Sequence, residues 1–329
     1  MVDKIRWGIL GTGMIAHKFA EGLRVLPDAV LTAVGSRSQA AANRFGDAFD
    51  VPHRHATYQD LASDPEVDVI YVSSPHPMHK EDTLLCLEAG KAVLCEKPFT
   101  MNSQESEAVI RAARERGLFL MEAMWTRYLP AVVRARQLLA EGVIGEVRMV
   151  QADFGFRAEV DPKHRLLNPD LGGGALLDVG IYTVSLAWMV FGQQPAEINS
   201  QVYLGSTGVD ELSGTIFRYP AGQIAVLSSS LQINTPHDAV IIGTKGSIRI
   251  HPSFWCTDGM TLTLDGQPEQ VMNLPRVSNG YNYEAAEVMA CLRAGKRESE
   301  VMPLDETLAI MQTLDRIRAL WGLKYPTEK

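Results

Sequence analysis

From residue 4 to about residue 122, short apolar runs alternate with amphipathic stretches, the pattern of a parallel sheet with crossover helices. The runs predict strands at 6–10, 30–34, 69–73, 92–95 and 119–121, and the stretches between them predict helices at about 14–25, 38–46, 77–90 and 103–116. Gly90 and Gly117 stand where two of these helices should end, since a left-handed cap suits glycine. Beyond 122 the period changes. A helix over 130–140, with Pro130 in its first turn, leads into long alternating strands at about 146–157, 196–204, 212–219, 223–233, 238–242, 247–250 and 260–273, with 220–222 and 244–246 as hairpin turns. Gly172-Gly173-Gly174 precedes a helix at 175–191, and helices at 281–294 and 304–321 close the chain. The expected fold is α/β: an N-terminal Rossmann domain with a doubly wound parallel sheet at 1–122, then an α/β domain with a large, mostly antiparallel open sheet at 123–329.

Composition narrows the function classes. At 329 residues, two domains are the default, and 46% hydrophobic with 21% charged residues is the balance of a water-soluble globular chain. The net charge of -8, with no cluster of Lys and Arg interleaved with aromatics, argues against a nucleic-acid partner. Residues 1–6 run directly into a strand pattern with no leader, and apolar stretches such as 181–191 are too short to span a bilayer and carry Ser185, so a cytoplasmic location is expected, without membrane attachment. Cys86, Cys95, Cys256 and Cys291 lie far apart and form no C-x-x-C pair, as reduced thiols do.

The chemistry begins at Gly11-Thr12-Gly13-Met14-Ile15-Ala16, a G-x-G-x-x-A directly after one strand and opening a helix. Glycine there lets the backbone approach a pyrophosphate, and the helix N-terminus offers unpaired N–H groups to it. At the end of the second strand, an NAD site usually carries Asp or Glu for the ribose 2′-hydroxyl; this chain has Gly35-Ser36-Arg37-Ser38. An arginine flanked by hydroxyls suits a 2′-phosphate, which points to NADP over NAD, with Ser36 and Arg37 as its contacts. Taken without context, Arg37 also reads as a solvated residue at a helix start.

Two further loops fall at carboxyl ends of parallel strands, the ligand-binding edge of such sheets: Ser74-Pro75-His76 running on to His79, and Cys95-Glu96-Lys97-Pro98. They make Ser74, Pro75, His79, Glu96 and Lys97 candidates for cofactor contact. His76 and His79 lack a third ligand at suitable spacing, so no metal is expected. Lys97 can hydrogen-bond a substrate oxygen and lower the pKa of a neighbouring proton donor. In the second domain Asp178 and Tyr182 stand four apart on one helix face, and pairing Tyr182 with Lys97 would make a phenol serviceable near neutral pH. On residue type alone Lys97 reads as well as a surface cation, and Tyr182 as an ordinary helix tyrosine.

The G-x-G-x-x-A start, Glu96-Lys97-Pro98 and the Gly-Gly-Gly…Asp…Tyr segment resemble the glucose–fructose oxidoreductase/inositol dehydrogenase/MocA (Gfo/Idh/MocA) family along the whole chain. Residues 94–98, 121–127, 172–182 and 243–246 resemble its dihydrodiol dehydrogenase branch most. The resemblance implies an NADP-dependent oxidoreductase acting on trans-dihydrodiols or on D-xylose, with Lys97 and Tyr182 as the catalytic pair. It also implies that Asp178 orients the substrate, and that Trp125 and Phe154 wall the pocket. Many relatives carry histidine where this chain has Tyr182, which moves the proton acceptor from imidazole to phenol. A sugar or anhydro-sugar reductase and a non-catalytic, ligand-sensing regulator are the alternatives, and the regulator need not keep Lys97 and Tyr182 together.

The resemblance also places a homodimer on the second sheet. Strand 223–231 is apolar on both faces, with Ile224 and Val226 on one and Ala225, Leu227 and Leu231 on the other, and Ala239 to Ile242 repeats this. Helices can cover one face; a second subunit, or the chain's own last helix over 304–321, must cover the other.

Overall fold

The structure is a computed structural model and describes residues 4–159 and 161–328; the reading of residues 1–3 lies outside them. The chain forms two units, one of residues up to Trp125 together with Val277–Leu308, the other of Thr126–Arg276 with the residues from Ala309 on. The single boundary expected at 122 does not include this return of 277–308 to the first unit, because helical periodicity says nothing of which sheet a helix joins.

In the first unit the strands are β1 (Ile5–Leu10), β2 (Ala29–Gly35), β3 (His53–His55), β4 (Val69–Val72), β5 (Ala92–Glu96) and β6 (Leu120–Ala123), and the helices α1 (Met14–Leu23), α2 (Gln39–Phe49), α3 (Tyr58–Ala62), α4 (His79–Glu88) and α5 (Ser103–Arg116). The six strands lie parallel in the order β3-β2-β1-β4-β5-β6, so the strand order reverses beside β1, the crevice where Rossmann sheets bind dinucleotides. Trp7, Ile9 and Tyr71 are fully buried, and Phe19 of α1 stacks on Tyr71 with ring centroids 3.7 Å apart. β3 and α3 have no counterpart in the expected elements: His53-Arg54-His55 carries no apolar residue, and a three-residue edge strand needs none.

The second unit holds α6 (Pro130–Ala140), β7 (Val147–Gly155), α7 (Ile181–Phe191), β8 (Glu197–Leu204), β9 (Asp210–Arg218), β10 (Ile224–Ser230), β11 (Ala239–Gly243), β12 (Gly246–Ile250), β13 (Gly259–Leu264) and β14 (Gln270–Asn273). Its eight strands run in the order β14-β13-β12-β11-β7-β10-β9-β8, antiparallel except for the parallel pair β7 and β10. The stretch 260–273, read as one strand, is a hairpin of two, turned at Gly266 with φ +73°. The chain ends in α8 (Tyr281–Arg293), which packs on α1, and α9 (Leu304–Trp321).

The expected helix at 175–191 is present, and it opens with a π turn at Leu176–Gly180 that continues into α7. With the turns before it, this helical run at Pro169–Phe191 reaches 23 residues, long and apolar enough to cross a membrane, but 83% of its most apolar stretch is buried within the fold. The run is apolar because it forms the core layer over the sheet. Ala225 and Leu227 of β10, Val150 and Phe154 of β7 and Phe217 of β9 are buried on the helix-covered side. α9 lies beside α7 on that same side, where Trp188 Nε1 donates to Thr313 Oγ1 at 3.3 Å and Trp321 Nε1 to Ser200 Oγ at 3.0 Å. The opposite side therefore has no helix over it among the described residues. Met149, Val226, Val240 and Ile242 are half-buried there, and Ile224, Ile216 and Tyr203 are 37%, 46% and 53% exposed.

Candidate active site

Gly11 follows β1 with φ +101°, and a Cβ there would stand 3.1–3.3 Å from Ser73, so both its conformation and the close approach of the loop after β4 require glycine. Gly13 precedes α1 with no side chain capping the helix, no acidic residue in the first turn, and open space where its Cβ would be. The first N–H groups of this ten-residue helix thus have no capping side chain, and Met14 beside them is exposed. These features fit a dinucleotide pyrophosphate held by Gly11, Thr12, Gly13, Met14 and Ile15. Thr12 and Ser36 approach hydroxyl to hydroxyl at 3.3 Å, which joins this loop to the end of β2.

Arg37 is exposed, while Ser38 turns back to cap α2 through Ala41 N–H. Asp82 lies near enough to feel the Arg37 charge: burial pushes its carboxyl up, and the Ser74 hydroxyl and Arg37 draw it back. Ser74 is buried at the strand's end and Pro75 exposed just beyond it. His79 does not present a free donor to this edge. Its ring is fully buried, with Nδ1 2.8 Å from Pro98 O and Nε2 2.8 Å from Ser74 O, so it ties the loops after β4 and β5 together. Burial holds its pKa below the ordinary histidine value. Glu96 is likewise turned inward: Oε1 accepts from the buried Tyr71 hydroxyl and Oε2 accepts the Lys97 backbone N–H at 3.1 Å. Beneath it the fully buried Glu284 carboxyl is pushed well up by burial and by the Glu96 charge. Lys97, half-buried, is thus fixed at its backbone by a network of buried acids and a phenol. Trp125 stacks on Tyr281 with centroids 4.5 Å apart, an aromatic partner that the long intervening sequence conceals.

In the second unit, Asp210 and the glycine run set the geometry. Gly174 has φ +120°, and a Cβ there would fall 2.3 Å from Asp210 Oδ1. Asp210 Oδ2 accepts the Leu176 N–H at 2.6 Å at the start of the π turn, and burial pushes its carboxyl up to about 7. Tyr325 donates its hydroxyl to Gly173 O at 2.6 Å. The run is braced from both sides, and the turn it launches carries Asp178, whose Oδ1 accepts from Arg165 Nη1 at 2.8 Å. Arg165 was not foreseen, because it lies in the irregular segment after β7 and nothing in its neighbours marks it. Tyr182, one turn on, is buried with its ring 5.7 Å from Phe154. Phe154 in turn stacks face to face on Trp255 and meets His237 at 5.4 Å. A carboxylate paired to arginine, a phenol and a flat aromatic wall therefore share one region of this unit. Trp125 belongs to the first unit and Phe154 to the second.

Residues 5–124 match the oxidoreductase family with an NAD-binding Rossmann fold, and residues 132–249 match the GFO/IDH/MocA C-terminal domain. Trans-1,2-dihydrobenzene-1,2-diol dehydrogenase of Mus musculus is 38% identical over 336 residues, and that of Homo sapiens 37% identical over 333, each match covering 99% of both chains. Among solved structures, the aldose-aldose oxidoreductase of Caulobacter crescentus complexed with glycerol superposes with a TM-score of 0.89 at 27% identity, covering 97% of this chain and 98% of that one. The 3-ketoreductase KijD10 of Actinomadura kijaniata, in complex with NADP and TDP-benzene, superposes at 0.83 with 26% identity, covering 96% and 98%.

Proposed function

The chain belongs to the GFO/IDH/MocA family of oxidoreductases, and on that premise we propose that it transfers a hydride between NADP and a carbinol or carbonyl carbon of a trans-diol or a sugar such as D-xylose. When bound, NADP supplies the nicotinamide carbon that takes or returns the hydride. Gly11 to Ile15 bind its pyrophosphate, Ser36 and Arg37 its 2′-phosphate, and Ser74 and Pro75 line the approach. In oxidation the Tyr182 phenol takes up the substrate's hydroxyl proton as general base, and the Lys97 ammonium assists by hydrogen-bonding the reacting oxygen. Asp178, held by Arg165, accepts a hydrogen bond from a neighbouring substrate hydroxyl and so orients it. Trp125 and Phe154 exclude water and present flat faces, which suits a cyclic diol or the apolar side of a sugar ring.

The observation that carries this reading is the phenol of Tyr182 standing against the stacked Phe154 and Trp255, one turn from an arginine-paired carboxylate. The test is cofactor reduction with NADP and NAD against pentoses, hexoses, inositols and trans-dihydrodiols. NADP-linked oxidation of D-xylose or a trans-dihydrodiol supports the proposal. Activity confined to reduction of ketosugars would assign the chain to the ketoreductases, and NADP binding with no turnover in either direction to the regulators.

Arg37 is the selector between cofactors in this proposal. Arg37→Ala should weaken NADP by roughly ten- to a hundredfold, the worth of a charge-assisted contact of about 1.5–3 kcal/mol, and leave NAD nearly unchanged. Competitive fluorescence titration with both cofactors checks this; equal losses for the two would remove Arg37 from that role.

The open face of the second sheet is assigned to a second copy of the chain. Its apolar residues are grouped on β7, β10, β11 and their neighbours, a contiguous patch that soluble monomers seldom leave wet. Sedimentation at low micromolar concentration should give a species of twice the 36.2 kDa chain mass, and Val226→Asp should shift it to the monomer. A single species near 36.2 kDa for the unaltered chain contradicts the assignment.

A further inference from the structure

At the edge of the first sheet, β3 places His53 and His55 two residues apart, so both imidazoles project from one face of the strand. The loop after α3 brings Asp64 between them: His53 Nδ1 lies 2.6 Å and His55 Nε2 2.9 Å from the same carboxylate oxygen, Oδ2. The three ligand atoms lie within 4.8 Å of one another. Neither the nucleotide loops nor the proposed proton transfer uses these side chains.

The carboxylate is built in rather than laid on the surface. Asp64 is only 5% exposed, its other oxygen Oδ1 accepts the Glu66 N–H at 2.9 Å, and its backbone carbonyl accepts Lys91 Nζ at 2.6 Å. Such outer contacts fix a metal-binding carboxylate in direction and leave one oxygen for the ion. The imidazole side chains are 39% and 23% exposed, which gives an ion a way in and leaves room for water as a further ligand. Two imidazole nitrogens and one carboxylate oxygen make the donor set of three-ligand zinc centres, and they favour zinc-like transition ions over magnesium or calcium. With metal–ligand bonds of about 2.0–2.1 Å, tetrahedral ligand atoms stand about 3.3 Å apart, so each imidazole has to withdraw from Oδ2 by less than about 1 Å.

We propose that His53, His55 and Asp64 form a binding site for a divalent transition ion of the zinc type, which pins the edge strand β3 to the turn after α3. Sequence reading expects no metal, because its histidine pair was His76 and His79, whereas these three ligands meet only once β3 and α3 exist.

The test uses the full-length protein freed of metal by chelation, with zinc and cobalt as probes. Zinc should bind at one equivalent per chain in competition with a chromophoric chelator and raise the unfolding temperature as its concentration rises above the dissociation constant. Cobalt should give the absorption of a four- or five-coordinate centre. His53→Gln, His55→Gln and Asp64→Asn should each weaken zinc on the order of a hundredfold and abolish the thermal shift, while His251→Gln, on the other sheet, leaves both intact. If a ligand variant fails to fold, the remaining two and the cobalt spectrum of the unaltered chain still decide. No zinc bound at millimolar concentration, or binding that survives all three substitutions, overturns the site.

Discussion

Lys97→Met will fold and bind NADP, yet turn over on the order of hundreds of times more slowly than the unaltered enzyme. Methionine keeps an unbranched apolar stem as far as Cε, with sulfur in the δ position, and lacks the ammonium. The backbone position does not depend on that ammonium, since the Lys97 N–H is held by Glu96 Oε2 at 3.1 Å and Glu96 by Tyr71. What the proposed mechanism loses with it is the charge that assists Tyr182 and hydrogen-bonds the reacting oxygen, a contribution of about 10²–10⁴ in acid–base catalysis. Because that interaction strengthens as charge develops, kcat and kcat/KM should fall together. Steady-state kinetics beside an NADP titration checks this; turnover within a few-fold of the unaltered enzyme would remove Lys97 from catalysis.

Tyr182→Phe should be as severe, again on the order of 10²–10⁴ in kcat, with little change in stability. The substitution removes one oxygen and leaves the ring against Phe154, 5.7 Å away, so packing is preserved. If Tyr182 is the proton acceptor the proposal makes it, oxidation by the unaltered enzyme should quicken as pH rises, and the phenylalanine variant should lose that limb of the pH–rate profile. This second readout separates a proton acceptor from a residue that only fills space. A variant keeping more than about a tenth of the turnover, with the limb intact, would move the role to another group, and His237, 5.4 Å from Phe154, is the next candidate.

The parts of the fold that were legible are those where burial dictates composition. β1, β4 and β5 are buried along most or all of their length, and their apolar runs stand out in the chain. The glycine at Gly11 and the missing carboxylate after β2 were readable because a backbone conformation and a charge leave their mark on residue type. β3 was not, since an edge strand of His-Arg-His has no apolar signature, and the π turn at Leu176–Gly180 was not, since its sequence satisfies a helical period as well.

The candidate site divides along the same line. Lys97, Asp178 and Tyr182 stand in motifs, whereas the groups that hold them in place come from elsewhere in the chain: Tyr71 on Glu96, Glu284 under the same loop, Arg165 on Asp178, Asp210 and Tyr325 on the glycine run, and Trp255 on Phe154. Glu284 is instructive. In sequence it is one more acid in the first turn of a helix, yet it is wholly buried, and only the packing of α8 in the first unit makes it a neighbour of Glu96. His79, placed by its strand-end position among the candidate cofactor contacts, stands with its ring nitrogens each 2.8 Å from a backbone carbonyl, of Pro98 and of Ser74, neighbours its place in sequence does not announce.

The most direct measurement of the proposed activity follows the hydride itself. With D-xylose deuterated at the anomeric carbon and NADP as acceptor, the reduced cofactor recovered from the reaction should carry one deuterium, and the rate should show a primary isotope effect if hydride transfer limits turnover. Reduced cofactor without the label, its deuterium lost to water, would contradict direct hydride transfer from that carbon. No cofactor reduction with D-xylose or with any trans-dihydrodiol would contradict the proposed substrate class.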